Sequence, residues 1–191
     1  MLISNNAKFN FPHLFKHEIR MGKLDWQYGD MGSMAALVTL CCLVKSGYEP
    51  VFEFGTYRGR TAYNLALNAS MPVTTLDWDG DAEEGFKASC IGEVAKGGTV
   101  FQLMGDSRTF DLSPFYGKMG LVLVDGGHSF ETCWSDTQNA FKLIRPGGLI
   151  VWDDCSLDWP GVVQAIEKFE AQGHELIMLR EEALVVYGLQ R

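Results

Sequence analysis

The sequence predicts an α/β fold, a single domain built on an open and mostly parallel sheet that closes with an antiparallel hairpin. Three observations predict it. Short apolar, β-branched runs alternate with longer helical patterns, the signature of βαβ units. Several of those runs end in an acidic residue. After the last helical stretch, two strand-like runs follow each other with no room for a crossover helix, so they pair antiparallel. With 191 residues and 47% hydrophobic content, the chain has enough apolar surface for one substantial core.

In chain order, residues 1–30 form an N-terminal cap segment ahead of a domain at 31–191. A helix is expected near residues 32–46. Its apolar stretch, residues 34–44, is too short to span a membrane and suits a buried helix, and Gly47 ends it. Strands follow at 51–54, 73–77, 99–104, 121–125 and 149–152, with helices near 60–69, 82–96, 129–144 and 160–172. Pro146-Gly147-Gly148 punctuates the end of the helix at 129–144. Runs 174–179 and 183–189, joined by Arg180-Glu181-Glu182, make the hairpin.

Composition excludes several classes. Sixteen Lys and Arg against 24 Asp and Glu give a net charge of −8, unlike the basic face that a nucleic-acid binder needs, so the expected partner is a small molecule. The five cysteines, Cys41, Cys42, Cys90, Cys133 and Cys155, form no C-x-x-C pair, which argues against zinc and for reduced thiols in a cytoplasmic setting. No signal peptide and no membrane span are read.

Ligands of open α/β sheets sit beyond the carboxyl ends of the strands, so Glu53, Asp77, Asp125, Asp153 and Asp154 converge on one crevice. The first of these lies in VFEFGTYRG, residues 51–59. A dinucleotide fingerprint fails there twice, because its register puts Tyr57 and Arg60 where glycines are needed. Glu53 would repel a pyrophosphate and attract an ammonium group. Gly55 and Gly59 allow close backbone approach, and a helix starting at Arg60 offers free N–H groups to a carboxylate; the alternative is an ordinary tight turn.

The stretch EFGTYRG, with Thr56 and Tyr57 between its glycines, resembles the loop of metal-dependent O-methyltransferases related to the catechol and caffeoyl-CoA enzymes. Tyr57 replaces the usual middle glycine. Five parallel strands followed by a hairpin resemble the seven-stranded, Rossmann-like class I S-adenosylmethionine-dependent methyltransferase fold, over residues 30–191. The segments LVLVDGGHSF at 121–130, VWDD at 151–154 and DWPGVVQAIEKF resemble a small bacterial D-G-G-H methyltransferase family that includes tailoring enzymes of antibiotic sugars.

The resemblance implies an S-adenosylmethionine pocket made by Glu53, Gly55, Thr56, Tyr57 and Gly59, with Asp77 accepting from both ribose hydroxyls. Trp78 either stacks on the adenine or packs at the rim. Asp106 accepts from the adenine amino group with Ser107 in support, or one of the two caps a helix. Asp125 borders the cofactor and, with Asp153 and Asp154, binds a divalent cation, for which Mg²⁺ is the natural candidate. Consecutive strand residues point to opposite faces, so Asp153 and Asp154 share an ion only if the strand has ended; otherwise Asp153 satisfies loop amides and Asp154 faces solvent. His128 takes the place of a lysine base three residues after the metal-binding Asp, which makes His128 and Asp125 the catalytic candidates. His128 has three other readings: adenine contact, metal ligand or helix cap. Asp136 reads as structural.

The function that follows is Mg²⁺-assisted O-methylation of a small hydroxylated acceptor, a sugar or phenol-like intermediate. The alternatives are a metal-independent N-methyltransferase and a catalytically silent S-adenosylmethionine-binding protein. The N-terminal segment, with Lys16, His17, Arg20 and Lys23 beside Phe9, Phe11, Phe15, Trp26 and Tyr28, reads as a cap over the acceptor pocket, an oligomer contact or a cover for the helices. The C-terminal hairpin offers an edge for a homodimer.

Overall fold

The computed structural model describes residues 2–4, 11–22, 33–78, 100–179 and 183–188. The expected helix at 82–96 and the link Arg180-Glu181-Glu182 lie outside the described residues, as does Cys90. In chain order the regular elements are β1 (Leu2–Ser4), α1 (Met34–Lys45), β2 (Val51–Phe54), α2 (Arg60–Asn68), β3 (Val73–Asp77), β4 (Val100–Met104), β5 (Met119–Val124), α3 (Phe130–Leu143), β6 (Ile144–Trp152), α4 (Pro160–Glu170), β7 (Leu176–Leu179) and β8 (Leu184–Tyr187).

They build one sheet in the order β1-β7-β8-β6-β5-β2-β3-β4. Strands β4, β3, β2, β5 and β6 are mutually parallel, and β8 enters antiparallel between β6 and β7. This is the expected seven-strand arrangement with an eighth strand, β1, added parallel to β7 at the edge. The strand order reverses between β5 and β2, which opens the crevice where open α/β sheets bind ligands.

The two faces of the sheet can be read off single strands. Val51, Leu121, Leu123, Leu149 and Val151 pack into a cluster with α1 and α2, while Phe52, Phe54, Val122, Val124, Ile150 and Trp152 pack with α3 and α4. Covering both faces requires near-continuous apolar strands, as the sequence has. Helix α1 is buried along most of its length and starts at Ser33, whose Oγ accepts from the Ala36 N–H at 3.0 Å. No helix among the described residues is long and apolar enough to cross a membrane.

Two local expectations change. Pro146-Gly147-Gly148 does not separate helix from strand: α3 ends at Leu143 and β6 begins at Ile144, so the glycines lie inside β6. The register between β5 and β6 shifts between Met119 and Leu121, and the close approach of Gly148 to the Met119 carbonyl, 2.9 Å from where a Cβ would stand, accounts for a glycine there. The second is a narrowing of the open readings of the N-terminal segment, among the described residues. Phe11 and Leu14 are buried in the α1–α2 cluster, and the backbone of Arg20 and Gly22 is tied to α2 through Asn68 and Asn64 at 2.7–2.8 Å. Residues 11–22 therefore cover the helices on one face of the sheet.

On the other face, Trp152 Nε1 donates to Thr137 Oγ1 at 2.8 Å, and both residues are fully buried. Thr137→Val leaves the indole N–H without a partner and is expected to destabilise the fold by about 1–3 kcal/mol, measured by urea denaturation.

Candidate active site

Glu53 sits near the end of β2 on the α1–α2 side, fully buried, with neither carboxyl oxygen hydrogen-bonded. The chain then turns at Gly55 (φ 90°), which passes so close to β5 that a Cβ would stand 2.0 Å from the Asp125 carbonyl oxygen. Thr56 anchors the loop through a 2.8 Å contact between its hydroxyl and that of Thr75 on β3. Tyr57 (φ 45°) donates its N–H to Asp77 Oδ2 at 3.0 Å, and Gly59 (φ 72°) is the N-cap of α2, with no side-chain cap bond.

Asp77 ends β3. Its Oδ1 accepts from the Trp78 N–H at 2.9 Å while Oδ2 accepts from the Tyr57 N–H at 3.0 Å. Trp78 is half exposed, with the Arg108 guanidinium 5.8 Å from its ring centroid. Asp106, beyond β4, is bound by Arg108 through Nε and Nη2 at 2.7–3.1 Å, which holds its carboxyl below the usual carboxylate range. No helix starts at this point, but Asp106 Oδ1 accepts from the Arg108 N–H at 3.0 Å, so the side chain caps the turn at residues 107–109. The Ser107 carbonyl accepts from Asn139 on α3 at 3.1 Å.

The neighbouring strands β5 and β6 deliver the acidic cluster. Asp125 follows β5 and its N–H bonds to Phe54 at 3.0 Å; Asp153 follows β6 and its N–H bonds to Val124 at 3.2 Å. Both strands thus end level with β2. Because β6 ends at Trp152 and Asp154 adopts a left-handed conformation (φ 57°), the strand alternation that would have pointed Asp154 away is broken. One carboxylate oxygen from each of Asp125, Asp153 and Asp154 lies within 4.8 Å of the others.

His128, in the β5–α3 loop, places Nε2 2.8 Å from Asp154 Oδ2 and stacks on Trp159 with ring centroids 3.8 Å apart. The helix cap is Ser129, whose Oγ accepts from the Thr132 N–H at 3.2 Å, not His128. Trp159, half exposed just before α4, and Arg108, at Asp106, were not among the residues read from sequence as site members. An Asp followed two residues on by Arg is a local signal for the second; nothing local pairs Trp159 with His128. Asp136, beneath Gly126, is buried with Oδ1 unpartnered, and burial pushes its carboxyl up to about 7.

Electrostatics makes the crevice costly to keep anionic. Burial raises Glu53 to about 8, with Asp77 adding to the shift and the Thr75 hydroxyl opposing it. Burial and then Asp154 raise Asp153 to about 7, and burial with the charges of Asp153, Glu53 and Asp154 raises Asp125 well above its ordinary value. Folded carboxyls that hold protons more tightly than the unfolded chain contribute stability that is full below the ordinary carboxylate range and lost as pH rises through about 7 to 8. With chelator present, the ligand-free protein is expected to melt at a higher temperature near about pH 6 than near about pH 8, and Glu53→Gln to flatten that slope. A scan with no slope in the wild type refutes it.

Three hard oxygen donors on two adjacent strand ends fit a small divalent cation. An octahedral shell with bonds of about 2.1 Å spaces its oxygens by roughly 3–4 Å, a separation compatible with three oxygens that lie within 4.8 Å of one another. A site without counter-charge would hold protons instead, as the raised carboxyls show.

Comparison with known proteins bears on this geometry. A profile described as a methyltransferase domain matches residues 52–155, from β2 to the residue after Asp154. No curated protein matches the sequence. Among solved structures, the fold is similar to the S-adenosylhomocysteine-bound methyltransferase PaMTH1 of Podospora anserina (TM-score 0.65, 16% identity, covering 84% of this chain and 80% of that one). It is also similar to an O-methyltransferase of Bacillus cereus in complex with S-adenosylhomocysteine (TM-score 0.62, 19% identity, 84% and 83%). A third is the O-methyltransferase TomG of Streptomyces achromogenes, involved in tomaymycin synthesis and solved with S-adenosylmethionine (TM-score 0.60, 21% identity, 83% and 82%).

Proposed function

The chain belongs to the methyltransferase-domain family and carries the fold of S-adenosylmethionine-dependent methyltransferases; from that premise we propose that it is an O-methyltransferase, assisted by Mg²⁺ or a similar cation, for a small hydroxylated acceptor such as a sugar or phenol. One observation carries the reading: the oxygens of Asp125, Asp153 and Asp154 cluster at the ends of β5 and β6, beside the Glu53–Gly59 loop. The O-methyltransferase TomG, involved in tomaymycin synthesis and similar in fold, supports O-methylation.

The residues divide the work. Glu53, with two unpartnered buried oxygens, is suited to the ammonium of the cofactor's methionine end, and the uncapped first turn of α2 to its carboxylate. Asp77, an acceptor-only carboxylate at the end of β3, is suited to the ribose hydroxyls. Asp125, Asp153 and Asp154 would hold the cation, which when bound supplies a lowered hydroxyl pKa on the acceptor. The strand ends then orient that hydroxyl toward the sulfonium methyl, and such positioning supplies much of the acceleration of methyl transfer.

The test is calorimetric titration of S-adenosylhomocysteine, once with chelator and once with excess Mg²⁺. Micromolar binding that tightens with Mg²⁺ is the expected result. Binding indifferent to Mg²⁺, with Mg²⁺ itself not bound, would favour the metal-independent N-methyltransferase or a silent binder, and no binding in either condition would overturn the cofactor assignment.

A further inference from the structure

His128 stands where a proton acceptor is expected, yet its surroundings commit it elsewhere. Nε2 is 2.8 Å from Asp154 Oδ2, and a carboxylate only accepts, so Nε2 carries the hydrogen. The ring stacks on Trp159 with planes 17° apart, so turning Nε2 toward another group breaks that stack. Its main chain is fixed as well: a Cβ on Gly161 would stand 2.4 Å from the His128 carbonyl oxygen, which shows how closely the start of α4 abuts this loop. Asp154, for its part, stands outside the strand ladder at φ 57°, and the bond to His128 is the one side-chain hydrogen bond recorded for it among the described residues.

We propose that His128 is a positioning residue for a divalent cation, acting through Asp154. Its Nε2–H occupies Asp154 Oδ2 and thereby turns the carboxylate so that it joins Asp125 and Asp153, while Trp159 holds the imidazole in place. Histidine and carboxylate pairs of this kind tune metal ligands in many sites, with losses of about 10- to 100-fold in metal affinity when the outer partner is removed. The inference rests on the cation-assisted reading above, and it reassigns the residue that sequence spacing offered as the base.

The test is Mn²⁺ binding to the full chain loaded with S-adenosylhomocysteine, followed by the resonance signal of free Mn²⁺, with Mg²⁺ as competitor. His128→Ala is expected to weaken Mn²⁺ by about 10- to 100-fold with S-adenosylhomocysteine affinity held within about twofold. His128→Gln, whose amide N–H reaches about as far as Nε2, is expected to recover most of the loss, and His128→Asn, which stops short, is not. Should the alanine variant fail to fold, the Gln and Asn pair carries the comparison. Unchanged Mn²⁺ affinity in His128→Ala, or a Gln variant no better than Asn, overturns the inference while leaving the cation site standing. Wild-type protein that binds neither ion overturns both.

Discussion

Asp153→Asn is expected to weaken Mg²⁺ binding by at least about 100-fold and at the same time to raise the melting temperature of the ligand-free protein. The two effects come from one cause. Asp153 is buried, its Oδ2 has no hydrogen-bond partner, and its carboxyl is pushed up to about 7 by burial and by Asp154. An amide removes a buried negative charge from a cluster of three and supplies N–H donors to the remaining carboxylates, so the empty cluster relaxes. Each kcal/mol so relieved shifts the midpoint by about 2–4 °C in a chain of this size. With an acceptor in hand, turnover should fall by about 10³-fold, the several kcal/mol of charge stabilisation that a cation contributes. Calorimetry with Mg²⁺ and thermal scans in chelator check both halves. A variant that melts lower without Mg²⁺ and still binds the ion would refute the cluster as a cation site.

Gly55→Ala has the larger expected effect on the fold. The new methyl would stand 2.0 Å from the Asp125 carbonyl oxygen and 2.7 Å from its carbon, backbone atoms that cannot rotate away, at a φ of 90° that L-residues avoid. Strain of about 1–3 kcal/mol and overpacking of similar size add to a loss of about 2–6 kcal/mol. Relief by shifting the β2–α2 loop away from β5 would move Glu53 and Asp125 apart, so S-adenosylhomocysteine affinity should fall with stability. Gly47→Ala is the control: φ is 97°, but nothing lies within 4 Å of its Cβ, so only about 1 kcal/mol of backbone strain is expected, with cofactor affinity intact. Chemical denaturation of both variants separates steric clash from dihedral strain, and equal losses would refute the close-approach argument.

Much of this arrangement was legible in the sequence because strand ends in a parallel sheet fall in one plane. An acid at the end of each of four apolar runs can point only to the crevice, whichever order the strands take, so Glu53, Asp77, Asp125 and Asp153 were readable from alternation alone. Asp154 was read with them only on the condition that the strand had ended, because its direction depends on the chain leaving the ladder after Trp152 with a left-handed residue, which no periodicity announces. The occupation of Asp106 by Arg108 was local enough to read but was not among the readings, which offered an adenine contact or a cap. The stack of Trp159 on His128 joins two loops and needs the tertiary fold. Strand β1, three residues long and paired with β7, carries too little pattern to announce itself. Strand β6 starts earlier than expected because a proline and two glycines read as a break, whereas a register shift against β5 accommodates them.

The insertion of β8 between β6 and β7 also sets the order in which the crevice can be finished. Strand β6, which carries Asp153 and Asp154 at its tip, has β5 on one side and only β8 on the other. During synthesis that flank stays open until Leu184–Tyr187 has left the ribosome, so an emerging chain presents an unsatisfied apolar edge next to Asp153 and Asp154. Removing residues from Leu184 onward would therefore leave a sticky β6 and an unfinished crevice, while losing Leu2–Ser4 strips only the outermost strand. Fusion partners and truncations are tolerated better ahead of β1 than inside the hairpin.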